Sequence, residues 1–342
     1  MHEPAPEGDP PVWKDDFIKC LDSASERDVQ FHKAILIKEE NLPRHIYKYR
    51  RCTKCAFENL REGSVYMAPT TAYNDPFDSA LTLSFSQLNR KAVVRNIDAA
   101  PYFAKVRDLL SKEDIEKVKQ SDEPFETLST ILLARDKNIP ADKIPELVRA
   151  LGDAAGHISR PMIEAGRKVV QQRTVLCSFS EVPDSIIMWG HYADSHGGFC
   201  VEYDLTRVSA AEKYVRRFLW PVIYSEKLFD ATKYLEAAME DFSAFNVSFP
   251  LIAALYKSPE WAYEKEWRLL FPGGVVGPGN RPMPPPSRVL LGAKISEDNK
   301  KTVAEICGRK GIPVHQMNLA VNAFKLGVRD DQPTLLGTNR AL

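Results

Sequence analysis

Trp261-Ala262-Tyr263-Glu264-Lys265-Glu266-Trp267-Arg268-Leu269-Leu270-Phe271 alternates in character along its length. Alternation with a period of two is the mark of a β-strand. The pattern predicts one long strand over 261–271, with Trp261, Tyr263, Lys265, Trp267 and Leu269 on one face. Ala262, Glu264, Glu266, Arg268 and Leu270 then share the other. Two carboxylates and a guanidinium stand in a row, ~7 Å apart at each step. A like charge at that spacing raises a carboxylate pKa, and a nearby arginine lowers it. The row suits a group that stays ionised while it grips a hydroxyl or a developing cation. A solvated edge of an antiparallel sheet shows the same alternation, so both readings stand at this point.

Working outward, further short β-patterns occur at 46–50, 64–69, 174–180, 199–204, 222–224, 288–292 and 314–317. Helical spacing occurs over 12–40, 57–61, 185–193, 229–257 and 300–309. Residues 272–287 are dense in Gly and Pro and read as an exposed loop. The stretch 86–173 differs from the rest: it is rich in Lys, Glu, Asp, Ala and Leu with helical period, as in Val106, Leu109, Leu110, Ile115 and Val118. The expectation is an α+β fold with a mixed or antiparallel central sheet. One domain spans 12–342, with a helical insertion of four or five helices at about 86–173. The acidic, Pro-rich residues 1–11 read as a short disordered tail.

Composition narrows the function classes. The 342 residues are 44% apolar, in the range of a folded protein. Lys plus Arg equals Asp plus Glu, 46 against 46, so no global charge draws the chain to nucleic acid or an anionic membrane. No apolar run approaches the ~18 residues of a membrane span. The N-terminus lacks the basic start and apolar stretch of a secretory signal. The cysteines, Cys20, Cys52, Cys55, Cys177, Cys200 and Cys307, have no disulfide-scaffold spacing, which points to a reducing compartment, the cytoplasm. Cys52 and Cys55 form a lone pair with no second pair at zinc-ribbon spacing. There is no phosphate loop, no dinucleotide fingerprint and no nucleophile elbow.

Three other groups carry potential chemistry. In Ser185–His196, Trp189 and Tyr192 lie three apart on one helix face. With His191 and His196 they make either an aromatic wall for a flat ring or a packed core helix. Around Tyr49, Lys48 and Arg50 share one strand face and suit phosphate, unless they are ordinary snorkelling cations. Asn74-Asp75-Pro76-Phe77-Asp78 reads as a structural turn. Its Asp75 and Asp78 match no Ca²⁺ loop. No metal site is expected.

Taken in order, Tyr47–Arg50, Tyr73–Asp78, Cys177–Ser180, Met188–Asp194, Gly198–Asp204, Tyr263–Arg268 and Leu290–Lys294 resemble the bacterial family called domain of unknown function 2971. A more distant resemblance is to ADP-ribosyltransferases that carry an arginine on an early strand, a Ser-x-Ser strand and a Glu-x-Glu pair. It implies NAD as substrate, a macromolecular acceptor and a toxin or phage-defence role. By that resemblance Arg50, or Lys48 beside it, would hold the phosphates. Ser178, with Ser180, would brace the ribose or the acidic pair. Glu266 would grip the ribose 2′-hydroxyl and stabilise the oxocarbenium-like transition state, and Glu264 would orient the acceptor. Tyr192 or Trp189 would stack on nicotinamide, with Tyr49 and His191 nearby. Two other readings stay open: a non-catalytic module that binds a nucleotide or protein, and a metal-dependent hydrolase or nuclease built on Asp75, Asp78, His191 and the glutamate pair.

Overall fold

The computed structural model describes residues 12–98, 104–243, 245–271 and 276–328. The tail expected over 1–11 lies outside the described residues. Local signals explain most element boundaries. The helix Lys54–Glu62 starts where Thr53 accepts a hydrogen bond from the Ala56 amide and stops at Gly63, whose φ of 70° is left-handed. The helix Ile186–Tyr192 starts where Ser185 caps the Met188 amide. The helices are α1 (Val12–Leu21), α2 (Phe31–Glu40), α3 (Lys54–Glu62), α4 (Phe85–Asn96), α5 (Ala104–Arg107), α6 (Lys112–Gln120), α7 (Pro124–Arg135), α8 (Ile144–Arg173), α9 (Ile186–Tyr192), α10 (Lys213–Phe218), α11 (Thr232–Glu240), α12 (Phe249–Ala253) and α13 (Glu297–Gly308).

The strands are β1 (His45–Arg50), β2 (Ser64–Pro69), β3 (Leu81–Thr82), β4 (Val175–Ser180), β5 (Phe199–Asp204), β6 (Leu219–Pro221), β7 (Ile223–Tyr224), β8 (Phe229–Asp230), β9 (Tyr256–Lys257), β10 (Glu266–Leu270), β11 (Gly279–Pro282), β12 (Arg288–Leu291), β13 (Val314–Leu319) and β14 (Leu326–Val328). Among the described residues ten of them form one sheet in the order β11-β2-β4-β1-β5-β12-β13-β14, with β10 also on β4 and β6 on β10. Only the β12–β13 pair of that sheet is parallel. The fold is therefore α+β around a mixed, mostly antiparallel sheet, as the sequence pattern predicts.

The sheet is split, and the split positions the site. On one side of β4, β10 pairs along its whole length, from Glu266↔Ser180 to Leu270↔Leu176. On the other side β1 joins β4 only at Tyr47↔Ser180, while β2 joins it at Ala68↔Leu176 and Pro69↔Val175. Between these junctions, residues 177–179 have no described strand partner on that side. Lys48 covers part of the gap: its Nζ donates to the Ser178 carbonyl at 2.8 Å. A ladder carbonyl left by the diverging strands is thus satisfied by a side chain.

Apolar burial occurs on both sides of the sheet. One cluster joins Val65, Met67, Cys177, Phe179, Trp267 and Leu269 to α3 and α13. Another joins Leu176, Trp220 and Leu270 to α1, α2 and α12. A third surrounds α9 with Tyr47, Tyr49 and Trp189.

Three predicted stretches differ from the structure. The helical stretch expected over 229–257 is α11 and α12 set between the short strands β8 and β9. The long strand expected over 261–271 is two pieces: a 3₁₀ turn over Pro259–Glu264, then β10 from Glu266. Ser258 caps the Glu260 amide and Pro259 presets φ, so the chain enters a helical turn first. Lys265 then sits at φ 42° and reverses it. The loop expected over 272–287 contains β11, which pairs with β2 from Gly279↔Met67 to Pro282↔Ser64. Gly and Pro obscure a strand that lies at the end of the sheet order, where proline is tolerated.

Candidate functional site

The charged residues of β10 do not lie on a solvated edge. β10 is flanked by β4 and β6, and Glu264, Glu266 and Arg268 are 4%, 2% and 0% exposed. Glu266 and Arg268 share a strand face because they are two apart. Glu264 joins them for another reason: the left-handed Lys265 turns the preceding residue toward the same cleft.

The contacts form a chain of alternating charge. Arg268 Nη1 and Nη2 donate to Asp78 Oδ1 and Oδ2 at 2.7 and 3.0 Å. Arg268 Nε donates to Glu266 Oε1 at 2.9 Å. Lys257 Nζ lies 2.8 Å from Glu266 Oε2 and 2.5 Å from Glu264 Oε2. The Tyr192 hydroxyl donates to Glu264 Oε1 at 2.6 Å. Three carboxylates thus face two cations. Burial alone would raise the Glu266 pKa, but Arg268 and then Lys257 hold it well below the usual carboxylate range. Glu264 moves the other way: burial, then the Glu266 charge, push it up against the pull of Lys257. Burial opposes the Lys257 ammonium, yet Glu266 and Glu264 bring its pKa above the ordinary value. Within one network the Glu266 pKa is thus lowered and the Glu264 pKa raised.

A cleft of about 490 Å³ opens where β1 splays from β4. This lies within the range of small-molecule pockets, roughly 300–1,000 Å³. Glu264, Glu266, Asp78 and Lys257 line it together with Lys48, Arg50 and Arg51 from β1 and its end. Arg50 Nη2 donates to Asn59 Oδ1 at 2.7 Å. Among the described residues no carboxylate lies within ion-pair distance of Lys48 or Arg50. The cleft is therefore lined both by β1 cations free of carboxylate partners and by the Glu264–Glu266–Asp78 network.

The structure brings most sequence-predicted residues together. Lys48, Tyr49, Arg50, Ser178, Ser180, His191, Tyr192, Glu264 and Glu266 all line the cleft. Ser180, rather than Ser178, braces the acidic turn: its Oγ donates to the Glu264 carbonyl at 2.6 Å. The Tyr49 hydroxyl is committed to the Val182 carbonyl. His191 is exposed, with Nδ1 3.2 Å from the Tyr263 hydroxyl. Trp189 is the correction. It is 0% exposed, donates from Nε1 to the Pro183 carbonyl, and meets Tyr49 edge-on. It is a core residue and offers no face to a ligand, because helical spacing does not say which side of a helix the body covers.

Lys257 was missed by sequence reasoning. A single lysine after the apolar run 251–255 has no strong signal in one dimension. The proposed carboxylate metal site takes another form, since Arg268 and Lys257 stand where a cation would. Among the described residues no group of three or more His, Cys, Asp or Glu is placed to hold a metal ion.

Fold and cleft together define an α+β protein with a charged site at a split in its central sheet. Residues 188–269 match the model of the family described as Protein of unknown function (DUF2971), which bears out the resemblance seen in the sequence. The matched stretch runs from α9 to β10 and includes His191, Tyr192, Lys257, Glu264, Glu266 and Arg268. No curated protein and no solved structure matches the chain. Among the described residues no helix is long and apolar enough to cross a membrane.

Proposed function

We propose that the cleft binds a nicotinamide dinucleotide and cleaves its nicotinamide–ribose bond, as an ADP-ribosyltransferase-like enzyme. The observation that carries this reading is the opposition of charge within one cleft. Lys48 and Arg50 suit the diphosphate, with Arg50 offering a planar fork. The glutamate network suits a sugar that becomes cationic as its bond breaks. With Glu264 ionised, Asp78, Glu264 and Glu266 against Arg268 and Lys257 leave one negative charge uncompensated.

In this scheme the C1′–N bond breaks and its electron pair returns to the pyridinium nitrogen, which leaves as neutral nicotinamide. An acceptor O–H or N–H attacks C1′ and gives its proton to Glu264. We assign the reacting role to Glu264 because Glu266 is held by two cations, Arg268 and Lys257, whereas Glu264 has one cation, Lys257, and the neutral Tyr192 hydroxyl as its partners. Glu266 then positions Lys257. We also infer that 86–173 is an insertion outside the site, since no residue between 79 and 177 lines the cleft.

The test is release of nicotinamide from labelled NAD, with water or cell extract as acceptor. Glu264→Gln is expected to cut turnover by roughly 10²–10³-fold, the scale of one lost electrostatic contact in a transition state. Its melting temperature should stay near that of the unsubstituted protein. The rate should rise with pH through a value above the ordinary 4.5, as Glu264 loses its proton. NAD binding without any nicotinamide release would instead make the chain a non-catalytic nucleotide-binding module.

A further inference from the structure

Asp75 lies in the turn that follows β2 and lines the same cleft. It is 8% exposed. Its Oδ1 accepts a hydrogen bond from the Phe77 amide at 2.8 Å, which fixes the turn through a local side-chain bond. Its Oδ2 is buried and has no hydrogen-bond partner. Among the described residues no cation lies within ion-pair distance of Asp75, although its neighbour Asp78 is held twice by Arg268. A buried carboxylate oxygen without a donor costs folding free energy. The turn needs only Oδ1, so asparagine would build it equally well without a buried charge. Ser178 Oγ is a second buried oxygen of the cleft without a partner. Natural proteins accept such costs where function requires them.

We propose that Asp75 Oδ2 is the acceptor for an N–H or O–H donor of the ligand, and so is a specificity-determining residue. The group seated there is an amide, amine or hydroxyl. A carboxylate or bare carbonyl at that place is rejected, because it brings no donor and leaves Oδ2 unpaired. This rests on the nucleotide reading above for the choice of probe, though not for the geometry.

The experiment has two arms. In the first, affinities are measured by titration calorimetry for NAD and two analogues. One replaces the nicotinamide carboxamide by a carboxylate; the other replaces the adenine amine by a carbonyl oxygen. The protein is expected to bind NAD at least tenfold more tightly than one of the two, and Asp75→Asn should reduce that preference to under threefold, since its amide can donate. Equal affinity for all three, or an unchanged preference in Asp75→Asn, overturns the assignment. In the second arm, melting is measured without ligand. Asp75→Asn is expected to melt at or above the temperature of the unsubstituted protein. A fall of several degrees makes Asp75 an architectural residue and overturns the proposal even if NAD binds. If NAD does not bind but the variant melts as expected, the nicotinamide reading falls and the buried acceptor stands.

Discussion

Arg268 shows how one residue can hold a site together. Its guanidinium is wholly buried and bonds Asp78, Glu266 and the Ala254 carbonyl. Asp78 lies 190 positions away in the sequence. Arg268→Met would leave three buried carboxylates, Asp78, Glu264 and Glu266, facing one remaining cation, Lys257. Breaking such a network typically costs about 3–5 kcal/mol. Urea unfolding of the variant should show a loss of that order, and a loss under about 1 kcal/mol would mean the network adds little. The residue types Glu264, Glu266 and Arg268 were legible as a row of charge on one face. Their partners Asp78, Lys257 and Tyr192 were not, because each comes from a different element.

At the scale of elements, the shape of the cleft depends on how closely backbone segments approach. The turn after α9 has three successive residues at positive φ, Asp194, Ser195 and His196. It returns the chain through Gly198, where an added Cβ would sit 2.1 Å from the Arg50 carbonyl and 2.9 Å from the Ala193 carbonyl. Both neighbours are backbone, so neither can swing aside. Gly198→Ala should therefore push the end of β1 outward and lose about 1–3 kcal/mol or more. It should also weaken the nucleotide binding proposed for the cleft, because Arg50 moves with that end. A variant with unchanged melting and binding would show that β1 tolerates the shift. Element type was legible for β1, β2, β4, β5 and α9 from alternation and caps. The 3₁₀ turn before β10 was not, since alternating side chains say nothing about the left-handed backbone at Lys265 that interrupts the strand.

At the scale of the whole molecule, the first described helix, α1, packs against the sheet that carries the site. Trp13 of α1 stacks on Trp267 of β10, with ring centroids 6.2 Å apart and planes at 21°. Phe17 follows it onto Trp220 of β6. Trp267 faces away from Glu266 and Arg268, so α1 supports the back of the strand whose front holds the charges. Trp13 is half-buried, and Trp13→Ala should cost roughly 2–3 kcal/mol on the scale of buried apolar area. Chemical denaturation can measure that cost, and a change below about 0.5 kcal/mol would place the stack among neutral surface contacts.

The sequence by itself determined the α+β class, most strands of the central sheet and the presence of charged groups on the β10 strand. Those properties rest on local periodicity, caps and turn chemistry, which act over a few residues. Only the tertiary structure decided that the glutamates are buried rather than solvated, that Trp189 is core, and that Lys257 and Asp78 complete the network. It also decided that β1 and β2 part along β4 to open the cleft. These are consequences of strand order and of which faces are covered. They are set by contacts between segments up to two hundred residues apart, and no local pattern encodes them.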